Sequence, residues 1–297
     1  MEQRSIAAGP LEIAYLTTGP EDGWPVILGH GFPYDAHAYD TAALILAGEG
    51  ARVIVPWLRG YGPTRFRDPA TPRSGAQGAL AADLRALMDA LGIAQATHGG
   101  YDWGGRAACI LAALHPERCT ALVSGNSYNI HDVPRSTIPG DPALEHALWY
   151  TWYFQTERGR RGLEENRRAL THYLWRLWSP DWAFDEATFE RSAQAFDNPD
   201  FVAVVTHSYR VRHGLVDGDP ANAEIEAALI AQPPIGVASI TLDGASDGVN
   251  PGTAQHASHF TGPHEHRVLP ATGHNIPQER PLEFARAILD ARAMAGV

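Results

Sequence analysis

At 297 residues the chain is long enough for one large domain or two of ordinary size. Hydrophobic residues make up 44%, enough for a sizeable core, which excludes wholesale disorder. A net charge of −11 with no dense Lys/Arg block argues against nucleic acid and anionic membrane surfaces as partners.

Along the chain, residues 25–29 (PVILG) and 52–56 (RVIVP) read as buried strands. Residues 77–91 carry apolar side chains at helical spacing, with Gly92 as a stop. A strand ending near Gly100, a helix over 104–114 and a strand at 120–124 follow. This alternation predicts a mostly parallel sheet with helices on both faces. Residues 131–230 differ: they hold five of the eight tryptophans, and their patterns are helical, as over 161–177. Alternation then resumes, with strands at 236–242 and 266–269, a helix after Pro251 and a final helix over 278–295. The expected organisation is a core discontinuous in sequence (1–130 and 231–297) with a helical insertion (131–230).

Cys109 and Cys119 lie in apolar runs and are expected to be reduced core residues rather than a disulfide framework. The N-terminal segment has no apolar stretch of signal-peptide length, and no window reaches the roughly 18 apolar residues of a membrane span. The expectation is a cytoplasmic protein that no membrane anchors. A homodimer stays open.

The chemistry concentrates in the segment Gly100-Tyr101-Asp102-Trp103-Gly104. It follows a strand and opens a helix, with Asp where serine hydrolases place their nucleophile. Glycines at 100 and 104 let a tight turn pass close to neighbouring backbone. Taken alone, the segment also reads as a glycine-rich turn with Asp102 as an N-cap. His30-Gly31-Phe32-Pro33 follows the strand PVILG, where the Phe32 N–H suits an oxyanion and the Trp103 N–H suits the same one. Asp247 follows the strand SITLDG, and His274 follows the last strand. Nucleophile, acid, histidine in that order, each after a strand, is the α/β-hydrolase order. A second match, Gly244-Ala-Ser246-Asp-Gly248, leaves Ser246 with only Glu265 as an acid before His274, and is set aside.

With HGFP, RGYGPT (residues 59–64), GYDWGG, Asp247 and GHNIPQE in place, the chain resembles the epoxide hydrolase branch of the α/β-hydrolases over its whole length. The resemblance implies that the helical zone is a cap. It also implies two cap tyrosines that protonate an opening epoxide. Tyr209, before Arg210, matches one; Tyr150 matches the other, with Tyr153 as the alternative. It further implies attack by Asp102, hydrolysis of the ester by water that His274 activates with Asp247 behind it, and no metal or organic cofactor. His98, His115 and His207 show no metal-ligand spacing. The segment Tyr150-Thr151-Trp152 also resembles haloacid dehalogenases, and haloalkane dehalogenases share the triad. Thr151, Trp103 and Phe32 stand where those families keep His, Arg and Asn. A dehalogenase therefore ranks second, with the indoles of Trp103 and Trp152 as its halide donors.

Overall fold

The computed structural model describes residues 1–297. Its centre is one sheet in the order β1-β2-β4-β3-β6-β7-β8-β9. The parallel strands are β3 (Trp24–Gly29), β4 (Ala51–Pro56), β6 (Ala96–Tyr101), β7 (Cys119–Gly125), β8 (Ser239–Gly244) and β9 (His264–Leu269). β1 (Glu2–Ala8) and β2 (Leu11–Thr18) form an antiparallel edge, and the two-residue β5 (Arg65–Phe66) pairs with β2. The sequence pattern marked neither strand of this edge; β1 shows no apolar alternation because most of its residues face solvent. Helices α1 (Asp40–Gly48), α2 (Gln77–Ala90), α3 (Asp102–Leu114) and α12 (Pro281–Met294) cover the sheet. The expected α/β architecture is the one found.

Between β7 and β8 the chain forms only helices: α4 (Pro142–Ala147), α5 (Trp149–Tyr153), α6 (Glu157–Glu165), α7 (Arg167–Trp178), α8 (Glu186–Ala193), α9 (Phe201–Arg212) and α10 (Ala223–Leu229), joined by short 3-10 turns. α5 to α9 share an apolar core with the sheet, whereas Leu229 of α10 belongs to a second cluster. One cluster runs from Val26 and Leu28 through Trp103 to Trp175, Phe189 and Phe201.

Three helix expectations need correction. Residues 161–177 are not one helix: Asn166, at φ −121° and ψ 26°, separates α6 from α7. Asn favours such breaks because its side chain competes for backbone partners. The final helix is likewise split into α11 (Ile276–Glu279) and α12. Pro281 has no N–H to continue a helix and drives Arg280 to φ −134°. After Pro251 there is only a 3-10 turn, Ala254–His259, whose residues AQHASH offer no apolar stripe to bury. Both cysteines are free and buried, as expected, and burial raises both thiol pKa values. No helix is long and apolar enough to cross a membrane.

Candidate active site

β6 ends at Tyr101 and α3 starts at Asp102, which adopts φ 48°. That left-handed conformation is strained for a residue with a side chain, and such strain concentrates at functional sites. It persists because the turn is wedged into the sheet. A Cβ on Gly104 would lie 2.0 Å from the carbonyl oxygen of Gly29, and one on Gly100 would lie 2.5 Å from the backbone of Gly104. Gly31 is equally constrained, since a Cβ there would sit 2.7 Å from that of Asp102.

The loop after β3 meets this elbow directly. The Phe32 N–H donates to Asp102 Oδ1 across 2.8 Å. The Trp103 N–H, an unpaired first-turn donor of α3, makes no hydrogen bond to the carboxylate. His30 braces the loop: Nε2 accepts the Leu58 N–H at 3.1 Å, so Nδ1 keeps the proton it shares with Gly31 O at 3.0 Å. Full burial takes its pKa down to about 4, so the ring is neutral. The Trp175 indole donates to Pro33 O at 2.7 Å and ties the loop to α7.

His274 and Asp247 come from loops after β9 and β8. His274 Nδ1 lies 2.8 Å from Asp247 Oδ2, and its Nε2 lies 3.9 Å from Asp102 Oδ2. Asp247 also accepts the N–H groups of Val249 and Asn250 at Oδ1 and the Asn126 amide at Oδ2. Asn126, at the end of β7, takes φ 64° to present that amide. Burial disfavours a charged His274, but the Asp247 carboxylate more than offsets it, so the imidazole pKa lies above 6.5. Of the two acids in the DGASD stretch, Asp243 is occupied by the N–H and hydroxyl of Thr253. Ser246 lies in the loop after β8, which leads into no helix, so it occupies no elbow.

The helical segment closes the site from above. α7 ends at Trp178, whose carbonyl has no partner within its own helix. It accepts the N–H groups of both Gly248 and His274, at 3.0 and 3.1 Å. Ser179 Oγ accepts from His274 N–H and donates to Glu279 Oε1, and Glu279 in turn accepts from Gly273 and Asn275. The loops carrying the acid and the histidine are thus fastened to the end of one helix. Neither Ser179 nor Asn126 stood out in the sequence, and Trp178 and Glu279 did so only within the tryptophan-rich zone and the GHNIPQE motif, since each acts through backbone or partner contacts that no spacing encodes.

The Phe32 ring lies beneath Tyr150 and Tyr209, at centroid distances of 6.3 and 5.4 Å. The two tyrosine rings meet edge to face at 5.3 Å. Burial raises both phenol pKa values, so both remain protonated donors. Tyr153 is elsewhere, with its ring against Trp149 and its hydroxyl packed on Gly162 of α6. Trp152 does not reach the site either: its exposed indole donates to Glu145 at 2.9 Å, so it offers no halide donor. Two indoles do sit there: Trp103, with its ring 5.9 Å between centroids from Phe32 and 6.0 Å from Tyr209, and Trp178, whose buried Nε1 has no partner, 4.9 Å from Tyr150 and 5.3 Å from His274.

The sequence profile of the α/β hydrolase fold matches residues 25–281. The chain belongs to this family. A solved Klebsiella pneumoniae structure, itself only provisionally described as an epoxide hydrolase, is 48% identical, covers 98% of this chain and 97% of its own, and superposes with a TM-score of 0.97. Epoxide hydrolase A of Mycobacterium tuberculosis is 27% identical across 97% of this chain and 96% of its own length. Epoxide hydrolase 3 of Siraitia grosvenorii is 36% identical over 135 residues, which span 46% of this chain and only 39% of that relative.

Proposed function

We propose that this hydrolase acts on the ether bond of an epoxide and yields a vicinal diol. The observation that carries the reading is the inequivalence of the two Asp102 oxygens. Oδ1 is held by the Phe32 N–H, whereas Oδ2 is the oxygen near His274. Oδ2 attacks an epoxide carbon and forms an alkyl ester. Tyr150 and Tyr209, on the opposite side, donate to the ring oxygen and protonate the leaving alkoxide. The helical segment 131–230 serves as the cap that brings them there and keeps bulk water out.

In the second step His274 Nε2 takes a proton from water, oriented by Asp247, and the hydroxide attacks the ester carbonyl. Oδ1 is then the carbonyl oxygen and becomes the oxyanion. The Phe32 N–H is already aimed at it and the Trp103 N–H is free to join, each donor of this kind being worth about 2.7–4 kcal/mol. Water is the second substrate.

A dehalogenase with the same triad is the second reading. One observation favours it: the unpartnered indole N–H of Trp178 suits a departing halide. A parallel assay separates the two, measuring diol from styrene oxide and halide from haloalkanes and haloacids. Diol formation in ¹⁸O-water, with a single turnover leaving an unlabelled enzyme oxygen in the product and label in Asp102, is expected. Halide release without diol formation overturns the epoxide reading, and label passing straight into product overturns the covalent route.

A further inference from the structure

Glu279 ends the short helix α11 and turns its carboxylate back onto the loop that carries His274. Oε2 accepts the Gly273 N–H at 2.7 Å, and Oε1 accepts the Asn275 N–H at 3.0 Å and the Ser179 hydroxyl at 2.6 Å. Ser179 Oγ in turn accepts the His274 N–H at 3.1 Å. The backbone N–H groups of 273, 274 and 275 therefore all end on this carboxylate or on the hydroxyl it holds. The close approach needs glycine at 273, where a Cβ would lie 2.4 Å from Ser179 Cα.

All three contacts of Glu279 are donors, so they favour the ionised carboxylate, and a proton on either oxygen would meet a donor. Burial raises its pKa against them. No cation neutralises it: the adjacent Arg280 spends Nε on Thr272 Oγ1 at 3.0 Å and Nη2 on the carbonyls of Ala271 and Pro270. For His274, burial is the largest influence and disfavours a charged ring, while three carboxylates oppose it, in the order Asp247, Asp102, Glu279. The other groups that face the ring are the phenols of Tyr34 and Tyr101, which burial keeps protonated, and the uncharged indole of Trp178.

Alkylation changes this balance. Once Asp102 is an ester it carries no charge, so Asp247 and Glu279 are the two anions left acting on His274, in the step that needs a base. We propose that Glu279 is a positioning residue for His274, which fixes the backbone of residues 273–275 and supplies the second negative charge that keeps Nε2 basic after Asp102 has been esterified. This rests on the reading of His274 as the base of ester hydrolysis and deepens it. When water gives its proton to Nε2 the ring becomes an imidazolium, which the same charge stabilises. Glu279 itself bonds no substrate and exchanges no proton.

The test follows the imidazole itself, without substrate, by NMR of protein labelled with ¹³C at histidine Cε1. The His274 signal is the one lost in His274→Gln. Glu279→Gln keeps the shape and an acceptor oxygen but deletes the charge, and the His274 titration midpoint should fall by about half a pH unit. Ser179→Ala cuts the link between the carboxylate and the His274 N–H but leaves the charge, so its midpoint should stay at the parental value. In a single turnover of styrene oxide, the acid limb of ester decay should move to lower pH in Glu279→Gln and stay in place in Ser179→Ala, while decay slows in both. Should Glu279→Gln fail to fold by circular dichroism, Glu279→Ala at this half-buried position gives the same readout. A midpoint that does not move in the neutral variant, or that falls equally in Ser179→Ala, makes Glu279 a structural clamp and overturns the proposal. A lowered midpoint in a protein that opens no epoxide supports the tuning by Glu279 and overturns the epoxide reading instead.

Discussion

The backbone N–H of Phe32 reaches Asp102 Oδ1 across 2.8 Å, and this one bond makes the two carboxylate oxygens inequivalent. In the proposed reaction the bonded oxygen is the one that takes up charge, and the N–H is already in place to stabilise it. The other lies 3.9 Å from His274 Nε2. The carboxylate is therefore oriented before any substrate arrives, which lowers the reorganisation needed for attack.

Replacing His274 with Gln should split the reaction. Attack by Asp102 needs no base, so the ester forms, but no group remains to activate water. Mass spectrometry after substrate addition should find a stable adduct on the peptide containing Asp102. Steady turnover with no adduct would remove His274 from the hydrolytic step.

The rate of ester hydrolysis should fall as pH drops through the His274 pKa, because a protonated Nε2 cannot accept a proton. That pKa is raised by the Asp247 carboxylate against the effect of burial, so the acid limb should lie above 6.5. Asp247→Asn deletes the charge that raises it and leaves burial largely unopposed. The limb should then move to lower pH, while the maximal rate falls by roughly 10²–10⁴-fold through loss of the correct tautomer. A limb that stays in place would show that another group titrates.

The tyrosine pair should matter more for an epoxide than for a halide. An alkoxide is a strong base that gains from a proton in the transition state, whereas a halide leaves as a stable anion. Tyr209→Phe keeps the ring against Phe32 and deletes one donor, at a cost of about 10²–10⁴-fold on epoxide opening. With Tyr150 still present the loss should lie at the lower end. Adding Tyr150→Phe should nearly abolish ring opening in a protein whose melting curve is unchanged. Parental rates in the double variant would make both tyrosines structural.

Gly104→Ala should destabilise the fold as well as the site. Its methyl group would sit 2.0 Å from the Gly29 carbonyl, so α3 and β3 must separate. Overpacking of this kind costs about 1–3 kcal/mol, a drop of several degrees in Tm for a chain of this size. Because α3 carries Asp102, kcat should fall too. A calorimetric scan with an unaltered Tm would contradict the close packing of the elbow.

The central strands β3 and β4 were legible because strands buried in the middle of a parallel sheet are continuous apolar runs, as in PVILG and RVIVP. The elbow was legible because only glycine fits at 100 and 104. The placement of Asp102, Asp247 and His274 after successive strands follows from chain order, since parallel strands deliver their exits to one edge of the sheet. Other features depend on contacts between segments far apart in the chain, and these only the tertiary structure decided. Tyr150 rather than Tyr153 faces Phe32 because α5 packs its Tyr153 edge onto Gly162 of α6. Trp152 turns to the surface and Trp178 into the site by the way α5 and α7 seat on the sheet. The carbonyl of Trp178 holds the loops that carry Asp247 and His274, a contact that joins residues 70 and 96 positions apart and leaves no periodicity to read.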